Sequence, residues 1–222
     1  MFSSSGRFVQ QIPTELFAKL HRPIGGFYAM KNQDDARCDW CKGSELYRHY
    51  HDTEWGVPCR DSNQLFELIN LEGAQAGLSW ITILNKRDGY RKLFAGFDPV
   101  KVARFTDARL DKIASNPAIV RHRLKVEAVR TNARALLALS ESGIEFSDFI
   151  WEFVNHKPVV NRYKIMADVP ASTPVSEAMS KHLKKAGFKF VGPTICYAFM
   201  QAAGLVNDHL VSCPGHSFCQ KR

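Results

Sequence analysis

The sequence lacks any hydrophobic run that approaches the ~20 apolar residues a helix needs to cross a bilayer. Its first 28 residues also lack the continuous apolar stretch of a secretory signal peptide. Internal repeats and low-complexity tracts are absent as well. We therefore expect a soluble, monomeric protein of the cytoplasm that has no membrane partner.

Cysteine is sparse, with six residues among 222, at positions 38, 41, 59, 196, 213 and 219. Because no secretory signal is recognised, these cysteines argue against a disulfide framework. We expect reduced thiols, some of them available to a metal ion.

Acidic residues are outnumbered, since 22 Asp and Glu stand against 30 Lys and Arg and give a net charge of +8. Cationic side chains release the counterions condensed on phosphates, so this excess favours a polyanionic partner. The signal is modest, because many basic proteins bind no nucleic acid.

Strand patterns are missing, because no period-2 alternation bounded by hairpin turns is found. Helix signals occur instead. The predicted helices follow the N-cap Asp61, span residues 99–105, 120–139 and 146–154, and open at Pro174 and at Pro193. The sequence thus predicts an all-α fold over residues 37–222, as one domain or two small helical lobes. Residues 1–36 are predicted to be a poorly ordered N-terminal extension.

Residues 174–204 predict two helices joined by a short turn with glycine at both ends. Gly187 supplies the positive φ that ends the first helix, and Gly192 permits close backbone approach. The second helix begins with free N–H groups, an anion site surrounded by lysines such as Lys189. This pattern resembles a helix-hairpin-helix, which binds a DNA phosphate without reading sequence. The alternative is an ordinary αα-hairpin with solvated lysines.

Metal-ligating residues occur near both ends of the folded part. Cys38 and His51 lie near its start, and His209 and Cys213 lie near its end. On one helical turn, the four-residue spacing of His209 and Cys213 would point both side chains the same way. Two thiolates and two imidazoles complete a tetrahedral structural zinc site, which would join the two termini.

Spacing leaves other ligand sets open. Cys41 forms a Cys-x-x-Cys pair with Cys38, and His216 and Cys219 lie just downstream of Cys213. Spacing does not choose between Cys41 and His51 as a ligand. A set of reduced, partly buried thiols without a metal is the further alternative.

Several long motifs, in order along the chain, resemble those of the 3-methyladenine DNA glycosylase I family of the helix-hairpin-helix glycosylase superfamily. They are RCxW at 37–40, YxxYHDxEWGVP at 47–58, LEGxQAGLSWI at 71–81, FDPVKVA at 97–103, GFKFVG at 187–192 and LVNDH at 205–209. The resemblance covers nearly the whole folded chain. It implies a zinc ion held by Cys38, His51, His209 and Cys213, with Cys41 outside the ligand set.

The resemblance also implies a site for a damaged base, with Glu72 recognising that base. The side chains implied around it are Trp40, Tyr47, Tyr50 and Trp80. 3-Methyladenine in DNA is positively charged, so its glycosidic bond is weak, and an aromatic pocket attracts the flipped cation by ~2 kcal/mol. Without the resemblance, the favoured interpretation of Glu72 is a helix-terminal residue that caps a backbone N–H, and the tryptophans could all pack in the core.

Three positions are predicted to contact DNA. Leu78 is proposed to insert into the gap left by the flipped nucleotide, although core packing is the alternative for a leucine. Lys189 and Gly192 belong to the phosphate-binding hairpin. The basic triplet at 121–123 either meets phosphate or forms a solvated face.

The absence of a lysine at one position is informative. Bifunctional members of the superfamily carry a lysine two residues after the last glycine of the hairpin, where its amine attacks the sugar. This chain has Thr194 there, so the sequence predicts no lyase step.

The predicted function is hydrolysis of the N-glycosidic bond of 3-methyladenine in alkylated double-stranded DNA, releasing the free base and leaving an abasic site. One alternative is a zinc-stabilised DNA-binding module without catalysis, which would leave no abasic sites in methylated duplex. Another is an enzyme for free cationic purines, whose ligand binding would be insensitive to salt and independent of Lys189.

Overall fold

A computed structural model describes residues 36–222, and this part of the chain is mainly helical. Its helices are α1 Glu45–Thr53, α2 Ser62–Gln75, α3 Trp80–Leu84, α4 Arg87–Leu93, α5 Pro99–Ala103, α6 Asp107–Ala114, α7 Arg123–Glu141, α8 Phe146–Trp151, α9 Pro174–Lys185, α10 Pro193–Ala202 and α11 Pro214–Cys219. Short 3-10 turns lie at Asp39–Cys41, Ala95–Phe97, Glu152–Val154 and Met166–Asp168. The predicted helical fold class is confirmed, whereas the extension predicted over residues 1–36 lies, except for residue 36, outside the described residues.

At three of the predicted helix starts, the predicted N-cap side chain accepts a hydrogen bond from a backbone N–H of the first turn. Asp61 Oδ1 accepts a hydrogen bond of 2.8 Å from the Gln64 backbone N–H at the start of α2. Asp98 caps α5 with proline in its first turn, and Thr173 forms a capping box with Ser176 at the start of α9. Each cap satisfies an N–H group that the first helical turn leaves free.

The start of α7 differs from the prediction by three residues. The helix begins at Arg123 rather than at residue 120, and the ring of its N-cap residue His122 accepts from the Lys125 N–H. Val120 lies outside the helix, and its N–H donates to the Tyr90 hydroxyl at 3.2 Å. The boundary is set by His122, whose backbone is extended and whose ring caps the first turn.

Two features after α8 were not predicted. Strands β1, Val159–Val160, and β2, Val206–Asn207, form a two-stranded parallel sheet in which Val159 pairs with Val206. A strand of two residues is too short to show an alternating pattern. Helix α11 was also missed, because the sequence analysis ended its helices with α10.

Helix α2 lies at the centre of the core, packed against α7 and α10. Every residue from 65 to 74 is buried, as expected of a helix covered on all sides. Two of its polar residues are satisfied by neighbours: Asn70 accepts from Asn132 at 2.9 Å, and Glu67 pairs with Arg87 at 2.6 Å. Glu72, on the same helix, has no such partner among the described residues.

Helices α9 and α10 and the turn between them form a hairpin against α2 and α7. Gly187 has φ +100°, so it closes α9 in the backbone region that favours glycine. The turn is fixed by buried Phe188 and Val191, and the Ser180 hydroxyl donates to the Val191 carbonyl at 2.6 Å. Among residues 36–222, no helix is both long and apolar enough to cross a membrane.

Candidate functional site

Four side chains from both ends of the described chain meet in one buried cluster. Their ligand atoms, from Cys38, His51, His209 and Cys213, all lie within 4.8 Å of one another. Cys213 Sγ lies 3.4 Å from His51 Nε2 and 3.5 Å from His209 Nδ1, and Cys38 Sγ lies 3.9 Å from His209 Nδ1. The cluster is therefore a set of two sulfur and two nitrogen donors that can hold a metal ion.

The second nitrogen of each histidine ring is held by hydrogen bonds. His51 Nδ1 lies 2.8 Å from an Asp52 carboxylate oxygen, and Arg37 in turn donates to Asp52. His209 Nε2 lies 3.0 Å from the backbone carbonyl of Trp55. Such outer partners fix ring orientation, so that Nε2 of His51 and Nδ1 of His209 face the cluster.

The thiols of the cluster are electrostatically unequal. The hydrogen bond from Cys38, followed by those from His209 and His51, holds the pKa of Cys213 far below its usual range. The hydrogen bond to Cys213, together with burial, raises the pKa of Cys38. The cluster therefore already favours one buried thiolate, the donor type that soft and borderline metal ions prefer.

The other ligand sets left open by spacing are not assembled. Cys41 is buried but directs its thiol to the Cys38 carbonyl, at 3.1 Å. His216 Nε2 lies 2.8 Å from the Asn161 carbonyl, and Cys219 contacts the Trp55 carbonyl. None of these three residues belongs to the cluster found among residues 36–222.

One detail of the predicted cluster is wrong. His209 and Cys213 do not share a helical turn, because residues 208–213 form an irregular segment between β2 and α11. The Cys213 N–H instead donates to the Leu210 carbonyl at 2.8 Å, a tight turn that brings the two side chains together. Gly215 is required beside it, because a Cβ there would overlap the His209 ring.

A cavity of about 170 Å³ lies next to the cluster. It is lined by Trp40, Tyr47, Tyr50, Trp55, Glu72, Gln75, Trp80, Met166, Ala198 and Gln201. All four predicted base-binding side chains and Glu72 are thus in one pocket. The elements that supply them are the first 3-10 turn, α1, the last turn of α2 and the start of α3.

The aromatic rings of the pocket contact one another at short range. The ring centroid of Trp40 lies 4.9 Å from those of Tyr47 and Trp55, and Tyr50 lies 5.5 Å from Trp80. Trp40 also packs against the His51 ring at 5.3 Å. The metal-ligand cluster therefore supports one wall of the pocket directly.

Three polar atoms in the pocket are buried without a hydrogen-bond partner. They are Tyr50 Oη, Glu72 Oε2 and Trp80 Nε1, and they are the only such side-chain atoms found in the described part of the chain. Buried polar groups are nearly always paired, since an unpaired one costs about 1–3 kcal/mol. Unpaired atoms gathered on one cavity indicate that a ligand completes their hydrogen bonds.

Glu72 is strongly affected by its surroundings. Its side chain is only 3% exposed, and burial raises the pKa of its carboxyl from 4.5 to about 8. Burial and then the nearby Glu72 raise the pKa of Tyr50 well above its usual range, so its hydroxyl remains a donor. The alternative of a helix-terminal Glu capping a backbone N–H does not fit, because Glu72 makes no such bond and faces the pocket.

Sequence reasoning missed several residues of the site. Met166 and Gln201 line the pocket, and so does Trp55, which was not among the predicted base-binding residues. Gln201 is held by Asp208, whose buried carboxylate accepts from Gln201 at 2.8 Å, from the Tyr197 hydroxyl at 2.6 Å and from Asn161 at 2.7 Å. A polar residue at 201 within the otherwise apolar α10 was the signal available.

The predicted DNA-contacting residues lie at or near the surface. Leu78 is 42% exposed in the loop between α2 and α3, so it is not a core residue. Lys189 and Gly192 lie in the turn of the hairpin. In the basic triplet, Arg123 is engaged by Asp111 and by Glu127.

An aromatic pocket that holds an unpartnered buried carboxylate, in a mainly helical fold, is suited to bind a cationic aromatic ring. The family model described as methyladenine glycosylase matches residues 40–216. DNA-3-methyladenine glycosylase 1 of Escherichia coli (strain K12) is 55% identical over 177 residues, which cover 80% of this chain and 95% of that protein. The chain belongs to the methyladenine glycosylase family.

Solved structures agree with this assignment. A crystal structure of 3-methyladenine DNA glycosylase I has a TM-score of 0.79 and 52% identity, covering 80% of this chain and 98% of its own. A variant of 3-methyladenine DNA glycosylase I in complex with 3-methyladenine also has a TM-score of 0.79, at 39% identity, covering 81% of this chain and 97% of its own. The family and enzyme class predicted from the sequence are confirmed.

Proposed function

We propose that this chain hydrolyses the N-glycosidic bond of 3-methyladenine in alkylated double-stranded DNA, the lesion named for its relatives. The observation that carries the proposal is the cavity in which Tyr50, Glu72 and Trp80 each present an unpaired buried polar atom. The products are the free base and an abasic site. The cytoplasmic location, the monomeric state and the division at residue 36 stay predictions.

Base recognition follows from the chemistry of the cavity walls. The ring faces of Trp40 and Trp80 attract a cationic base, and this attraction strengthens when water is excluded. Tyr50 offers a hydroxyl donor to a ring nitrogen, and Glu72 offers acceptors to the exocyclic amine. Neutral adenine gains less from the aromatic walls and from Glu72, so the pocket selects the alkylated base.

Glu72 is the residue that we assign to catalysis. Burial raises the pKa of its carboxyl to about 8 in the free protein, and a cationic base in contact with it favours the carboxylate. The carboxylate then lies against the reacting nucleotide in a site of low polarity, where its charge acts strongly. It stabilises positive charge that develops on the sugar as the glycosidic bond breaks.

DNA binding is assigned to two surface turns, the hairpin turn and the loop between α2 and α3. The hairpin turn, with Lys189 and the N-terminus of α10 at Gly192, binds a backbone phosphate without reading sequence. Leu78 enters the base stack from the neighbouring loop while the damaged nucleotide turns into the pocket.

Zinc is the metal that we assign to the cluster. Zinc–sulfur bonds of about 2.3 Å and zinc–nitrogen bonds of about 2.0 Å give tetrahedron edges of roughly 3.3–3.8 Å. Two of the contacts among the four side chains, at 3.4 and 3.5 Å, fall within that range, and the third, at 3.9 Å, lies just above it. With every position filled by protein, the ion would be structural, and its binding energy would stabilise the fold.

We propose a monofunctional mechanism, supported by Thr194 at the position of the lyase nucleophile. A threonine has no amine to form a Schiff base with the sugar. Borohydride treatment during the reaction should therefore trap no covalent protein–DNA adduct. A trapped adduct would overturn this part of the proposal.

The function is tested by incubating the protein and its Glu72→Gln variant with methylated duplex DNA and measuring free 3-methyladenine. We expect release by the wild type and a loss of at least about 100-fold in the variant, because the amide has no charge. No release by the wild type would overturn the function. Equal release by the variant would overturn only the role of Glu72.

A further inference from the structure

Lys125, in the first turn of α7, makes an unusual pair of contacts. Its ammonium group donates to the backbone carbonyl of Ala74 at 2.9 Å and to that of Ala76 at 2.6 Å. The side chain is half-buried, and none of the described carboxylates forms an ion pair with it. Burial also lowers the pKa of this ammonium. The lysine is thus committed to the backbone at the end of α2.

The two carbonyls that Lys125 binds lie where α2 ends and the next loop begins. This loop, residues 76–79, contains Leu78 and is called the Leu78 loop. The last carbonyls of a helix have no partner within it, and a cation there also matches the negative end of the helix dipole. The loop itself is tight: Gly77 has φ +81°, and the Leu78 N–H donates back to the Gln75 carbonyl at 2.6 Å. Gln75, on the same turn, lines the base pocket.

The helical turn that carries Lys125 also reaches the hairpin. The ring of His122, the N-cap of α7, lies 6.2 Å from the ring of Phe190, edge to face. Phe190 is in the hairpin turn next to Lys189, and the Lys189 N–H donates to Asn132 of α7 at 2.7 Å. Helix α7 therefore contacts both the Leu78 loop and the hairpin turn, alongside α2, which packs against the hairpin and leads into the loop.

We infer that Lys125 is a positioning residue, which fixes the Leu78 loop relative to the hairpin so that Leu78 enters the duplex when the hairpin holds its phosphate. This inference rests on the proposed function. Leu78 can replace the flipped base only if its loop stays in a fixed position relative to the end of α2. Without the ammonium, both carbonyls lose a charged donor and the loop is free to move.

A residue that positions Leu78 should affect the flipping of the base out of the duplex and should leave binding of the base in the pocket unchanged. Flipping a base from a fully paired duplex costs unpairing and unstacking, whereas a mismatched base costs less. An insertion residue therefore matters most in the paired duplex. The pocket for the free base does not include Lys125, so base binding should be unaffected.

The test uses Lys125→Met, with Lys112→Met as the matched control, because Lys112 is an exposed lysine of α6 that ion-pairs with none of the described residues. One methylated strand is annealed either to its full complement or to a strand with cytosine opposite each adenine. We expect kcat/KM on the paired duplex to fall about tenfold or more, since two charged hydrogen bonds are lost. On the mismatched duplex the loss should be several-fold smaller, and Kd for free 3-methyladenine should be unchanged.

An equal loss on both duplexes, or no loss on either, would overturn the inference. If the methionine variant does not fold, Lys125→Gln is used to compare the loss of kcat/KM on the paired duplex with that on the mismatched duplex. Because glutamine keeps a neutral N–H donor, this variant should show a smaller loss that is still larger on the paired duplex. Absence of release by the wild type on either duplex would instead count against the proposed function.

Discussion

Cys213 Sγ lies 3.4 Å from His51 Nε2, although 162 residues separate the two along the chain. His51 shares α1 with Tyr47 and Tyr50, which line the base pocket. The contact therefore fixes the helix that supplies the pocket's tyrosines to the C-terminal segment. A substitution that disrupts the cluster should therefore also displace α1 and, with it, the tyrosines of the pocket.

Cys213→Ser should lower zinc content and thermal stability together. The binding energy of a structural zinc is folding energy, so loss of one thiolate weakens both. Metal analysis and thermal unfolding of the purified variant measure the two quantities. The control is Cys59→Ser, since Cys59 is half-buried and lies outside the cluster. Full zinc occupancy in Cys213→Ser would show that another residue is the ligand.

The stability of the protein should depend on pH through Glu72. Burial raises the pKa of this carboxyl from 4.5 to about 8, so the folded protein binds more protons than the unfolded chain between those values. The free energy of unfolding should therefore fall as pH rises through that window, by about 1.4 kcal/mol at most for each pKa unit.

Glu72→Gln removes this titration, so the variant should be more stable than the wild type above pH 8 and similar to it below pH 4.5. Urea unfolding of both proteins across this range isolates the contribution, because other titrating groups are common to the two. A stability difference that does not change with pH would contradict the burial of an unpaired carboxyl.

Tyr50→Phe should reduce base release while leaving stability unchanged or raising it. The Tyr50 hydroxyl is buried without a partner in the described structure, so the free protein gains nothing from it. Its removal costs a hydrogen bond only when the ligand is present, which corresponds to about tenfold in kcat/KM. Paired measurements of Tm and of 3-methyladenine release check both parts. A variant that is clearly less stable would show that the hydroxyl serves the fold.

Asp208→Asn should destabilise the protein more than it slows catalysis. Three donors, from Asn161, Tyr197 and Gln201, converge on the buried carboxylate, and an amide cannot accept from all of them. A loss of ~2–4 kcal/mol is expected in chemical unfolding, as for a broken buried network. At a temperature where the variant is folded, kcat should change only a few-fold. A loss of kcat as large as that of Glu72→Gln would make Asp208 part of the chemistry.

Local chemistry was sufficient to predict where several of the helices begin, although α1, α3, α4, α6 and α11 were not predicted. Asp61, Asp98 and Thr173 each cap a helix as predicted, because a short polar side chain satisfies free N–H groups whatever surrounds it. The predicted start of α7 was wrong by three residues, because the backbone is still extended at His122, whose ring caps the helix by accepting from the Lys125 N–H. The β1–β2 pair has no local signal at all.

For the ligand cluster, too, the sequence predicted part of the arrangement and the fold determined the rest. Residue types and spacing identified candidates at both ends of the chain, but they left Cys41 and His51 as equal choices. Only the fold turns the Cys41 thiol toward the Cys38 carbonyl and the His51 ring toward Cys213. The irregular turn from His209 to Cys213 was likewise outside the reach of a helical spacing rule.

By itself, the sequence determined the helical class, the glycine-bounded hairpin and, through six motifs in order, the family. These follow from backbone propensities and from residue types that are readable one segment at a time. The tertiary structure decided which four side chains meet, that Glu72 is buried without a partner, and that Lys125 reaches the end of α2. Such features depend on distances between segments far apart in the chain. Of the three, the motifs indicated only the ligand set, through the resemblance to the family, and residue spacing alone did not choose it.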